Sequence, residues 1–98
     1  MTTMSAKELE KKLEANEKLH IIDVREVEEV ANGMIPGSTN LPLSKIAERY
    51  TELDKGKEYI LVCQAGGRSG QAQAFLNEEG YKTINMIDGM ASWSGDIE

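Results

Sequence analysis

The feature that most constrains this chain is the run Tyr59-Ile60-Leu61-Val62-Cys63, apolar at nearly every position and broken at once by Gln64-Ala65-Gly66-Gly67. A strand with one wet face alternates apolar and polar residues. A strand without that alternation is covered on both faces, as in the centre of a parallel sheet. The run therefore predicts a central parallel strand with a sharp stop at its carboxyl end.

The remaining pattern agrees with this. Ser5-Ala6-Lys7-Glu8 is a capping box, and Leu9 and Leu13 continue a helix as far as Asn16. Leu19–Val24 reads as a buried strand, Val27–Ala31 as a helical turn stopped by Asn32-Gly33, and Ile35–Ser38 as a turn leading into a brief extended piece, Thr39–Leu41. Ser44–Tyr50 reads as a second helix, Asp54–Lys57 as a turn, and Arg68–Glu79 as a helix with Ala72, Phe75 and Leu76 inward and Gly80 as its stop. Thr83–Met86 is a last short strand, and Gly89–Trp93 a closing turn. Strands alternating with helices over short loops predict an α/β domain with a mostly parallel sheet. At 98 residues the chain reads as one domain, residues 1–98, with a modest core.

Composition removes several functions. The net charge of −6 with no basic tract disfavours a nucleic-acid surface, and no apolar run approaches the ~20 residues of a bilayer span. The opening residues form no apolar signal core, so a cytoplasmic location is expected. One cysteine allows no internal disulfide, and one cysteine with one histidine makes a Cys/His zinc site unfavourable.

Chemistry concentrates in Cys63-Gln64-Ala65-Gly66-Gly67-Arg68-Ser69. In parallel sheets ligands bind beyond the carboxyl ends of the strands, where Cys63 falls. Two glycines let the backbone curl so that successive N–H groups face one concavity. A helix starting near Arg68 adds unpaired N–H groups and the positive end of its dipole, and Arg68 adds a planar cationic fork. All three favour an anion at one point, so a thiol there is expected to ionise more readily than usual. Cys63 is thus the candidate nucleophile, and Gln64, Ala65, Gly66, Gly67, Arg68 and Ser69 are the candidate substrate-binding loop.

Ile22-Asp23-Val24-Arg25-Glu26, Gly33-Met34-Ile35-Pro36-Gly37-Ser38, the Cys63–Ser69 loop, Gly80-Tyr81 and Asp88-Gly89-Met90-Ala91-Ser92-Trp93 together resemble the successive signatures of a single rhodanese domain. The resemblance covers almost the whole chain. It implies a rhodanese-like three-layer α/β fold, a central mostly parallel sheet flanked by helices, and a sulfurtransferase with Cys63 as nucleophile. It implies a small anionic sulfur donor such as thiosulfate, and a thiol or cyanide as acceptor of the sulfur from a cysteine persulfide. No metal or organic cofactor is called for. One departure is Met34, where the family commonly has histidine; local packing or hydrogen bonding is expected to change there, and any proton relay at that position is in doubt.

Cysteine phosphatases separate Cys and Arg by five residues, whereas four stand between Cys63 and Arg68 here. The shorter loop resembles the rhodanese loop, sized for sulfur rather than phosphoryl. Other functions stay in view: a persulfide carrier in a protein-to-protein sulfur relay, and a non-enzymatic interaction domain, which the presence of the nucleophile disfavours. Arg68 is expected either to attract the donor or to brace the loop, and Ser69 either to turn its hydroxyl to the loop or to cap the helix. Elsewhere the simplest readings are structural. Asp23 and Arg25 suit an ion pair or loop brace, Glu28 and Glu29 a solvated helix face, His20 the surface, Trp93 packing of the closing turn, and Met86 and Met90 core filling.

Overall fold

The structure, a computed structural model, describes residues 2–98. Five strands, β1 (Thr3–Met4), β2 (His20–Asp23), β3 (Thr39–Asn40), β4 (Glu58–Val62) and β5 (Lys82–Met86), form one sheet in the order β1-β5-β4-β2-β3. All pairings are parallel. The apolar run is central as predicted: β4 pairs with β2 from His20↔Tyr59 to Asp23↔Val62, and with β5 from Glu58↔Lys82 to Leu61↔Asn85.

Period-two alternation splits β4 between two cores. Tyr59, Leu61 and Cys63 face a cluster with Ala72 and Leu76 of α4 (Gly67–Glu78) and Ile46 of α3 (Ile46–Arg49). Ile60 and Val62 face the opposite cluster, with Ala6 and Leu9 of α1 (Ala6–Glu14) and with Met86. Trp93 and Met90 pack against that second cluster, in the structural role read from the sequence. Helices on both faces are what a strand apolar on both sides requires. Among the described residues, no helix is long and apolar enough to cross a membrane.

Several boundaries differ from expectation. β1 has no counterpart in the sequence pattern, because two residues carry no periodicity; it exists through its pairing with β5. α1 has the expected capping box but stops at Glu14, and Asn16 takes a left-handed φ of 60° past its end. The helix expected over Ser44–Tyr50 is short: α3 is flanked by 3₁₀ turns at Leu43–Lys45 and Tyr50–Glu52. His20 is exposed, with its ring against Tyr59 at 5.9 Å.

The β2 end is fixed by the Asp23–Arg25 pair, the structural brace the sequence suggested. Arg25 Nη2 lies 2.8 Å from Asp23 Oδ2, and its Nε donates to both carboxylate oxygens. Asp23 is 1% exposed and Arg25 5%. Arg25 also donates to the Gly33 carbonyl at 2.9 Å, tying in the end of α2 (Val27–Val30). Asn40 donates to the carbonyls of both Asp23 and Arg25, each at 2.9 Å. Removing one partner strands a buried charge, so Asp23→Ala is expected to lose ~3–5 kcal/mol of stability. Urea unfolding of the variant beside wild type measures the loss.

Candidate active site

Cys63 is the first residue beyond β4, and the strand alternation turns it toward α4. The residue is 1% exposed, while Gln64, Ala65 and Gly67 above it are exposed. The sulfur therefore forms the floor of a loop whose rim meets solvent.

The loop turns at Gly66. Its φ of 92° lies in the left-handed region, and a Cβ there would stand 2.0 Å from the Ile87 carbonyl oxygen. Both facts demand glycine. The turn brings the Gly66 N–H to 3.0 Å from Cys63 Sγ, and the Gly66 carbonyl accepts the Gly70 N–H at 3.1 Å to open α4. Gly67 has no such role: it is the first residue of α4, one earlier than expected, and a Cβ there meets nothing within 4 Å. The expectation that two glycines make the curl is corrected to one.

A second segment supports the loop from below. The Met90 N–H donates to the Cys63 carbonyl at 2.8 Å, and the Ala91 N–H to the Gln64 carbonyl at 2.9 Å. Gly89, with φ 68°, lets that segment approach; a Cβ there would lie 2.3 Å from the Gln64 carbonyl oxygen.

Burial opposes ionisation of Cys63. It is outweighed by hydrogen bonding from the Ser69 hydroxyl and from the amides of Ser69, Ala65 and Gly66, so the thiol is held below its ordinary value. Of the loop residues, Ala65, Gly66 and Ser69 thus turn amides to the sulfur. Ser69 is fully buried, with Oγ 3.2 Å from Sγ, and its hydroxyl faces the loop rather than solvent.

Glu29 is a correction to the sequence expectation. Unlike the exposed Glu28, it takes the Arg68 guanidinium in a two-pronged pair, with Nη2–Oε2 at 2.7 Å and Nη1–Oε1 alongside. Sequence separation of 39 hides such a contact. Hydrogen bonding from Arg68 and from the Glu26 backbone holds the Glu29 carboxyl down to about 2, and Glu29 raises Arg68 above its ordinary value. The positive charge expected at the loop is thereby committed to α2, and the pair ties the first turn of α4 to that helix.

Asn85 of β5 was not singled out by sequence reasoning. It is buried, with Oδ1 2.5 Å from Ser69 Oγ and Nδ2 3.3 Å from the Gly66 carbonyl. The available signal was an amide side chain in a strand with apolar neighbours.

A buried sulfur ringed by amides, with no acidic group among its hydrogen-bond partners, stabilises a negative charge on itself or on an atom bound to it. Residues 5–96 match the rhodanese-like domain family. The chain belongs to the rhodanese family. Its relative YtwF of Bacillus subtilis is 45% identical over 95 residues, covering 97% of this chain and 92% of that one. A protein named Sulfurtransferase from Allochromatium vinosum is 33% identical over 92 residues, covering 93% and 86%. The crystal structure of a rhodanese-like domain protein from Staphylococcus aureus has a TM-score of 0.94 at 31% identity, covering 100% of this chain and 97% of that one. The five-stranded parallel sheet with flanking helices is thus the rhodanese fold. In this rhodanese-like domain Met34 is half-buried and exchanges two backbone hydrogen bonds with Glu98, at 3.1 and 2.9 Å.

Two predictions follow the geometry. Gly66→Ala is expected to lose at least ~1–3 kcal/mol for its strained backbone, together with the acidic titration of Cys63. Gly67→Ala, whose added methyl is unobstructed, should stay within ~0.5 kcal/mol of wild type. Thermal unfolding and pH-dependent alkylation check both. The folded-state Glu29 carboxyl titrates at about 2, below its ordinary 4.5, so its pairing stabilises at neutral pH and fades as pH falls from about 4.5 through about 2. Because both side chains touch solvent, Glu29→Gln is expected to lose only ~0.5–1 kcal/mol at neutral pH and to converge on wild type at the acid end. Denaturant unfolding across that range measures the convergence.

Proposed function

We propose that this rhodanese moves a sulfane sulfur from a small anionic donor such as thiosulfate to a thiophilic acceptor, a thiol or cyanide, through a persulfide on Cys63. One observation carries the reading: a floor-seated sulfur surrounded by the inward amides of Ala65, Gly66 and Ser69. The Cys63 thiolate attacks the outer sulfur of thiosulfate. A bond forms between Sγ and that sulfur, the donor S–S bond breaks, and its electron pair leaves on sulfite. The resulting Cys63–S–S⁻ carries its charge on the outer sulfur, within reach of the loop's amides. The acceptor then attacks that outer sulfur, and the electron pair of the breaking bond returns to Sγ. No general base is required, since the thiolate is present beforehand. Gln64, Ala65 and Gly67 form the exposed rim over which donor and acceptor pass, and Arg68 acts as a brace.

A second reading is a persulfide carrier whose donor and acceptor are proteins. The Arg68–Glu29 pair favours it, because a dianionic donor meets a cation already partnered.

Incubation with thiosulfate should add the mass of one sulfur atom to the intact protein, and Cys63→Ser should gain none. Rapid thiocyanate release on adding cyanide supports the enzyme. Loading without rapid turnover supports the carrier, and an unloaded Cys63 under both thiosulfate and a protein persulfide donor sinks both. Since the thiol titrates below its ordinary value, the loading rate should level off at a lower pH than for a free cysteine and fall as the thiolate is protonated.

A further inference from the structure

The Ser69 hydroxyl has one proton and three neighbours able to take it: Asn85 Oδ1 at 2.5 Å, the Gly66 carbonyl at 3.2 Å and Cys63 Sγ at 3.2 Å. An amide side chain can be turned end for end, which would exchange an acceptor for a donor beside Ser69. Here the orientation is fixed from the other side. Asn85 Nδ2 faces the Gly66 carbonyl at 3.3 Å, and a reversed amide would set oxygen against oxygen there. Oδ1 must therefore face Ser69, where it can only accept. Asn85 Oδ1 therefore competes with Cys63 for the single Ser69 proton, and the share it takes weakens the support the hydroxyl gives to S⁻ over S–H.

We propose that Asn85 is a positioning residue that competes with Cys63 for the Ser69 proton and so weakens the support this hydroxyl, beside the loop amides, gives to the anion. Both residues are buried, Ser69 at 0% and Asn85 at 7% exposed, so water does not compete for the hydroxyl. Other charged groups around the site are partnered. Arg68 on α4 pairs with Glu29 on α2, Glu26 accepts from Ser44, Asp23 and Arg25 beyond β2 close on each other, and Asp88 after β5 accepts the Ala6 N–H. For a thiol nucleophile the balance has a use. Intrinsic reactivity falls as acidity rises, and the best attacking thiol titrates near ambient pH. Asn85 keeps Cys63 from becoming too acidic to be a strong nucleophile.

The inference rests on Cys63 being the nucleophile, but its test needs no sulfur transfer, so either can fail alone. The Cys63 titration is followed by thiolate ultraviolet absorbance and by the pH dependence of iodoacetamide alkylation. In Asn85→Ala the freed hydroxyl turns to the thiolate. The titration midpoint is expected to fall by roughly one pH unit, as one charge-assisted hydrogen bond is worth, and the limiting alkylation rate at high pH to drop roughly threefold. Ser69→Ala should move the midpoint the opposite way from Asn85→Ala. In the Ser69→Ala background Asn85→Ala should have little further effect, because the proposed action of Asn85 runs through that hydroxyl. If Asn85→Ala does not fold, Asn85→Leu removes the amide at closer to its volume. An unchanged or raised midpoint in the Asn85 variant, or the same shift with and without Ser69, overturns the proposal.

Discussion

The site depends on a backbone wedge: the Cys63–Gly66 turn is pressed between the end of β4 and the segment that follows β5. The Ile87 carbonyl leaves no room for a side chain at Gly66, and the Gln64 carbonyl leaves none at Gly89. Two hydrogen bonds, from Met90 and Ala91 to the Cys63 and Gln64 carbonyls, occupy the outward-facing acceptors of the loop. With its carbonyls held below, the loop has its N–H groups left to face the sulfur. A flexible loop would have to order those donors whenever charge appeared on sulfur, and the prior ordering is what makes such dipoles effective.

The electrostatics of the loop are correspondingly local. The chain is acidic overall, and the cationic side chain within the loop is neutralised by Glu29. The depression of the Cys63 titration comes from hydrogen bonds at close range, working against burial. Such contributions are screened little by salt because they act at contact distance inside the protein. Arg68 contributes instead to shape, by fastening α4 to α2, and the Asp23–Arg25 pair performs a similar duty at the neighbouring strand end. Rigid ion pairs thus surround a cradle of neutral donors.

Much of this was legible in the sequence. The two-faced apolar character of Tyr59–Val62 determined a central parallel strand, because burial on both faces removes alternation. The capping box at Ser5–Glu8 determined where the first helix begins, and Cys63 before a glycine turn and a helix determined where the candidate nucleophile stands. These are local properties, set by residues near one another in the chain.

What the tertiary structure alone decided involves partners far apart. Gly66 rather than Gly67 is indispensable because of where the Ile87 carbonyl lies. Glu29 is an ion-pair partner rather than a solvated face because α2 stands beside the start of α4. Asn85 belongs to the cysteine's hydrogen-bond network because parallel register sets β5 next to β4. β1 exists only as an edge strand on β5. In each case the deciding term is a close contact between segments whose separation along the chain carries no information about their distance in space.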